Sequence, residues 1–184
     1  MSTSETLVQQ ALQARREHRL ADAERDLIEA VALCRNARVR TDLARALTAL
    51  GQIERDLHRT EDALQHYEEA VELYRTVGDP LRLAHTVRHV GDILREAGRP
   101  DLAEPCYDEA LSLYRNHAET PPLDLANTIR GLAIFKFDAG EAATARALWE
   151  EARDLYAAVN VEAGVAESNR RLGLLAQRGK ESGS

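Results

Sequence analysis

The segment HRTEDALQHYEEAVELY at 58–74 has three further copies in the chain: HRLADAERDLIEAVALC at 18–34, GRPDLAEPCYDEALSLY at 98–114 and GEAATARALWEEARDLY at 140–156. A second motif keeps step with it, as LARALTALGQIERDL (43–57), LAHTVRHVGDILREA (83–97), LANTIRGLAIFKFDA (125–139) and VAESNRRLGLLAQRG (165–179). Successive copies of the first motif start 40, 40 and 42 residues apart. Self-similarity at such a period restricts the chain to a stack of one supersecondary unit, because each unit buries its apolar face only against its neighbours. The two extra residues of the third step fall in NHAETPP, between Tyr114 and Leu125, where a proline-bearing loop absorbs an insertion that a helix would not.

Both motifs carry apolar residues at helical spacing, so each unit reads as two helices with short connections. Gly51, Gly91, Ala133 and Gly173 recur in the middle of the first helix, and Ala23, Ala63, Ala103 and Ala145 early in the second. Glycine inside a helix is about 1 kcal/mol worse than alanine, so its recurrence predicts a close crossing of paired helices. Leu27, Tyr67, Tyr107 and Trp149 follow four residues after that alanine, and Ala30, Ala70, Ala110 and Ala152 three residues later. Large side chains beside small ones interdigitate as ridges into grooves.

This leucine-glycine, alanine, aromatic, alanine pattern resembles the tetratricopeptide repeat, in the longer form found in many bacterial regulators and in kinesin-light-chain-like arrays. The resemblance spans about residues 4–179. The proline that ends the second helix of the commoner short form is missing, as are its early Trp and later Tyr in most first helices; both departures fit the longer form. The resemblance implies an all-α fold, a right-handed α-solenoid of antiparallel helix pairs with a concave groove lined by the first helices and used to hold peptides or partner proteins. It divides the chain into a single domain over 1–179, with repeats at about 4–40, 41–80, 81–122 and 123–162 and a capping helix at 163–178. A disordered tail is expected at 180–184.

The ends of the array read as caps. Positions that carry Leu50, Val90, Leu132 and Leu172, or Ile53, Ile93, Phe135 and Leu175, should face the preceding repeat, and in the first unit they are Gln10 and Gln13. The position of Leu47, Val87 and Ile129 should face the unit's own second helix, and in the last copy it is Asn169. Polar residues where a neighbour is missing are what terminal repeats need.

With those positions assigned to the core, helical periodicity leaves one face of each first helix for the groove. It carries Arg45, Thr48, Gln52 and Arg55, then His85, Arg88, His89, Asp92 and Arg95. Asn127, Arg130, Ile134 and Phe137 follow, and Arg170, Arg171 and Leu174 close the row. The second helices look acidic outside, through Glu61, Asp62, Glu68, Glu69, Asp101, Glu104, Asp108, Glu109, Glu150 and Glu151. A cationic groove in an acidic shell is expected to bind an acidic peptide through planar guanidinium forks, with Ile134, Phe137 and Leu174 as apolar contacts. The lysine, asparagine and arginine clamp that some relatives use on a C-terminal carboxylate is not matched, since the corresponding rungs read Arg88, Asp92 and Gly131 with Asn127 nearby.

Other functions find little in the sequence. His85 and His89 sit at i and i+4 with Asp92 near the same face, but HTVRH lacks the glutamate of the H-E-x-x-H motif and Arg88 opposes an incoming cation, so no metal or other cofactor is expected. No phosphate loop, serine elbow or cysteine-histidine-acid set appears, so no catalysis is expected. A net charge of −7 and the lack of stacking aromatics on the groove face argue against nucleic acid. No apolar run suits a membrane span, the start lacks the layout of a signal peptide, and Cys34 and Cys106 suit reduced, packed thiols, which together predict a cytoplasmic protein. A self-associating scaffold, packed through the end helix or Leu174 and Leu175, is the alternative to a peptide binder.

Overall fold

Each motif pair is a helical hairpin. The computed structural model describes residues 2–181, and over them the chain forms α1 (Thr3–Arg16), α2 (Leu20–Ala37), α3 (Arg40–Asp56), α4 (Thr60–Val77), α5 (Pro80–Glu96), α6 (Pro100–Arg115), α7 (Pro122–Asp138), α8 (Ala142–Ala158) and α9 (Glu162–Glu181). The described residues form no strands, and the helices stack pairwise as an α-solenoid. Odd-numbered helices are the first of each pair.

Left-handed residues make the turns. His18, Arg38, His58, Gly78, Gly98, Gly140 and Asn160 all have φ between 57° and 81° and each sits just past a helix end. At His18, His58, Gly98 and Gly140 the next amide reaches back to the carbonyl five residues earlier, as in Arg59 N to Glu54 O at 2.8 Å and Arg99 N to Leu94 O at 2.8 Å. That bond closes a Schellman turn, so histidine and glycine copies of one position adopt one geometry. Pro80, Pro100 and Pro122 occupy N1, where the missing amide proton would have had no partner.

The small and large residues pack as their spacing predicts. Ala23, Ala63, Ala103 and Ala145 are fully buried, as are Leu27, Tyr67, Tyr107 and Trp149 and the alanines three residues on. A Cβ on Gly51 would lie 3.0 Å from the Tyr67 ring and 3.2 Å from the Ala63 carbonyl oxygen, which is why glycine stands there. At Gly173 an added Cβ would meet nothing within 4 Å, because no second helix follows α9 among the described residues. Gln10, Gln13 and Asn169 are exposed at the two ends. α9 runs on to Glu181, past the end expected for a capping helix, so Lys180 and Glu181 are helical, and the rest of the expected tail lies outside the described residues.

The outer helices are less purely acidic than their sequences suggest. Arg35 donates to Glu69 at 2.6 Å, Arg75 to Glu109 at 2.9 Å and Arg115 to Glu151 at 2.8 Å, a ladder that ties each second helix to the next. Lys136 of α7 adds an ion pair to Glu104 of α6. Exposed pairs of this kind contribute under about 1 kcal/mol each, but they remove four carboxylates from the acidic shell.

Candidate interaction face

The odd-numbered helices carry a row of equivalent residues, Leu12, Gln52, Asp92, Ile134 and Leu174, that makes up the candidate face. Two of them meet large residues of the second helices, Gln52 against Tyr67 and Asp92 against Tyr107. Tyr67 Oη donates to Gln52 Oε1 at 3.4 Å and Tyr107 Oη to Asp92 Oδ1 at 2.9 Å. Gly131 on α7 makes room for the buried bond, since a Cβ there would lie 2.8 Å from the Tyr107 ring and 3.2 Å from Asp92 Oδ1.

Asp92 anchors a largely buried network in the middle of the face. Arg88 donates to Asp92 Oδ2 at 2.8 Å, and both side chains are only 12% exposed. The second Arg88 nitrogen is 2.8 Å from His89 Nε2 and an Arg55 nitrogen 3.5 Å from Nδ1; a guanidinium cannot accept and a neutral ring accepts at one nitrogen only, so the much shorter contact makes Nε2 the acceptor. His89 is buried and stacked on Tyr67 with centroids 5.3 Å apart. Arg55 lies 3.7 Å from Asp92 and donates to Glu96 at 2.7 Å. Burial, reinforced by Arg88, His85 and Arg55, holds the His89 pKa well below the ordinary histidine range, so the ring is neutral.

The other expected groove residues divide by what already holds them. Arg130 makes a bidentate pair with Glu167 of α9, at 2.7 and 3.0 Å. Asn127 accepts from the Tyr156 hydroxyl at 2.8 Å, and Arg95 lies 3.3 Å from Glu96 and 3.8 Å from Asp138. Ile134 and Phe137 are partly buried, with Arg171 over the Phe137 ring at 5.8 Å. Arg170 is exposed without an ion pair among the described residues, and Leu174 is 42% exposed. The arginines that recur at one rung, Arg88, Arg130 and Arg170, are therefore bound inward, bound across to the next first helix, and exposed.

A cleft of about 480 Å³ opens between α1, α3 and α5, floored by Tyr67 and Tyr74 of α4. It brings together Arg45, Gln52, His85 and His89 with Arg15 and Arg82, which sequence reasoning passed over. None of the described residues lining it is an aspartate or glutamate, although acids outnumber bases 31 to 24 in the chain. Arg15 and Arg82 are held from outside the cleft by Asp56 at 2.6 Å and Asp79 at 3.1 Å. Arg45 is the least committed, with the carboxylates of Asp42 and Glu5 at 3.9 and 4.0 Å. Both omissions carried a signal: Arg15 is the first-unit copy of Arg55 and Arg95, and Arg82 stands where the neighbouring copies have Asp42 and Asp124.

Two family models, both described as tetratricopeptide repeat, match the chain, over residues 2–76 and 89–117. The chain is a tetratricopeptide repeat protein. No curated protein sequence matches it. Solved structures match the fold: RapI in its apo form, at a TM-score of 0.84 and 14% identity over 94% of this chain and 62% of that one; BtubC (BKLC) from P. vanneervenii, at 0.77 and 23% over 85% and 64%; and a Podosopora anserina protein of nearly identical TPR-like repeats, at 0.76 and 13% over 98% and 89%. This repeat protein thus spans less than two thirds of the length of the first two, and likeness at these identities speaks of fold alone. The tetratricopeptide fold is in general a non-catalytic scaffold for protein–protein interaction. No helix among the described residues is long and apolar enough to cross a membrane, and no three of their His, Cys, Asp or Glu side chains are grouped to hold a metal ion.

Proposed function

We propose that the concave face captures an acidic segment of a partner protein, with the α1–α3–α5 cleft taking its carboxylates first against Arg45 and then against Arg82, of which only Nε is paired with Asp79. One observation carries this reading: in an acidic chain, a cleft with three arginines and two histidines in its lining has no carboxylate among the described residues that line it. A guanidinium not already satisfied by an internal acid can give a ligand carboxylate two parallel donors. The intended anchors shift accordingly. Arg88 and Arg130 are occupied by Asp92 and Glu167, so Arg45, with no acid closer than 3.9 Å, takes the leading role. Farther along, Ile134, Phe137 and Leu174 offer the same segment an apolar seat.

A fluorescent hexaglutamate peptide tests it by anisotropy. The double variant Arg45→Glu/Arg82→Glu should bind it about a hundredfold or more weakly than the wild type, given about 1.5 kcal/mol or more for each of the two charge-assisted bonds lost. Equal affinities would end the proposal, as would equal binding of a hexalysine peptide.

A second reading, self-association, has one observation in its favour. The side of α9 that carries Ala166, Asn169, Gly173 and Ala176 is exposed, and its equivalents in the other units are covered by a second helix. Sedimentation across a dilution series separates the two readings, because a scaffold built this way changes mass with concentration and a peptide binder does not.

A further inference from the structure

His85 is the one ring in the cleft with both nitrogens unclaimed. It stands one helical turn before His89 and meets that ring edge-on, with centroids 4.7 Å apart, and neither of its nitrogens has a hydrogen-bond partner among the described residues. His89 is different, since Arg88 fixes its Nε2 and Tyr67 its plane. We propose that His85 is the proton-linked contact of the cleft: seating a carboxylate of the acidic segment draws a proton from solvent onto the His85 imidazole, while the ligand remains a carboxylate. This rests on the acidic-segment reading above and adds to it a preference for lower pH.

The charges around the ring set the sign. On α5 itself it faces Arg82, Arg88, His89 and Asp92, and on α7 it faces Asp124. Across the cleft are Arg15 of α1, Arg45 of α3 and the hydroxyls of Tyr67 and Tyr74 of α4, and Arg55 of α3 reaches His89 behind it. Burial and then Arg88 outweigh Asp124 and Asp92, which takes the His85 pKa down to about 4 and leaves the free cleft with a neutral imidazole at pH 7. An incoming carboxylate supplies the counter-charge that this side lacks, and an opposite charge at such range raises a pKa by about 1–3 units. The bound form then has the higher pKa. Affinity is lowest above that pKa, rises as pH falls through it, and levels off only below the free-state value.

Hexaglutamate binding at about pH 7.5 and about pH 5.5 reads this directly, because glutamate side chains stay ionised at both. A bound pKa of about 6 gives roughly fourfold tighter binding at the lower pH, from the same linkage. His85→Gln should bind with nearly the same affinity at both. In the wild type, the His85 ring proton followed by NMR should titrate near 4 without peptide and at least one unit higher with it, a measurement that needs no variant to fold. If the wild type binds equally at both pH values, or the variant keeps the full gain, or the ring titration does not move, the proton link is wrong and the acidic-segment reading stands. If hexaglutamate binds at neither pH, both fall.

Discussion

The middle of the candidate face and its C-terminal end are built on equivalent repeat positions with opposite chemistry. Gln52 and Asp92 accept hydrogen bonds from tyrosine hydroxyls of the second helices, whereas Ile134 and Leu174 are hydrocarbon and no second helix follows α9 among the described residues. The arginines one turn before these positions follow suit. Arg88 is drawn inward because Asp92 sits four residues later on its own helix, Arg130 is drawn sideways by Glu167 of the next first helix, and Arg170 is left in solvent. The repeat fixes where a side chain starts, and the neighbouring carboxylates decide whether it is available to a partner. Availability, not recurrence, moves the proposed anchor to Arg45.

The largest effect that would break this comparison is the loss of the central acid. Asp92→Ala strips Arg88 and the Tyr107 hydroxyl of their partner in a site where the ion pair is 12% exposed on both sides. Removing one member of a buried, hydrogen-bonded pair destabilises by about 3 kcal/mol. Urea unfolding should report a loss of that order. A loss below about 1 kcal/mol, the value of a surface pair, would mean that the middle of the face is as solvated as its end.

Much of this was legible before any coordinates, and the boundary has a physical basis. Helix pairing, the buried alanines and aromatics, and the polar ends all follow from side chains whose partner is set by the repeat itself, so one copy predicts the next. Asp92 stands four residues after Arg88, a spacing from which an intrahelical pair can be read because i and i+4 share a helix face, although helical periodicity alone assigns both to the groove. The Arg130–Glu167 pair cannot be read that way, because it depends on how far α9 is rotated against α7. The cleft was hidden for the same reason: its floor is made by Tyr67 and Tyr74 reaching through from α4, and its width depends on the separation of α3 and α5. His85 and His89 show both cases on one helix: both line the cleft, and the second is buried against Tyr67.

A smaller effect sharpens the contrast between a paired and an unpaired first helix. Gly51→Ala gains about 1 kcal/mol of helix propensity, but its methyl group would press on the Tyr67 ring at 3.0 Å and on backbone at 3.2 Å. Overpacking of a dense core costs about 1–3 kcal/mol, so the variant should come out less stable by about 1 kcal/mol. Tyr67 is fully buried and stacked on His89, which leaves the ring little freedom to retreat.

Gly173→Ala is the matched substitution at the open end, and its expected effect is the smallest and opposite in sign. Nothing lies within 4 Å of the added methyl, so only the backbone gain remains and stability should rise by about 0.5–1 kcal/mol. The urea midpoint of this variant, measured at several protein concentrations, discriminates between the two readings of the molecule. A concentration-independent gain means that the α9 face is bare in solution, as a peptide binder requires. If instead the variant loses stability, and loses more as the protein is concentrated, a second copy must be covering that face, and the glycine is kept for the same reason as Gly51.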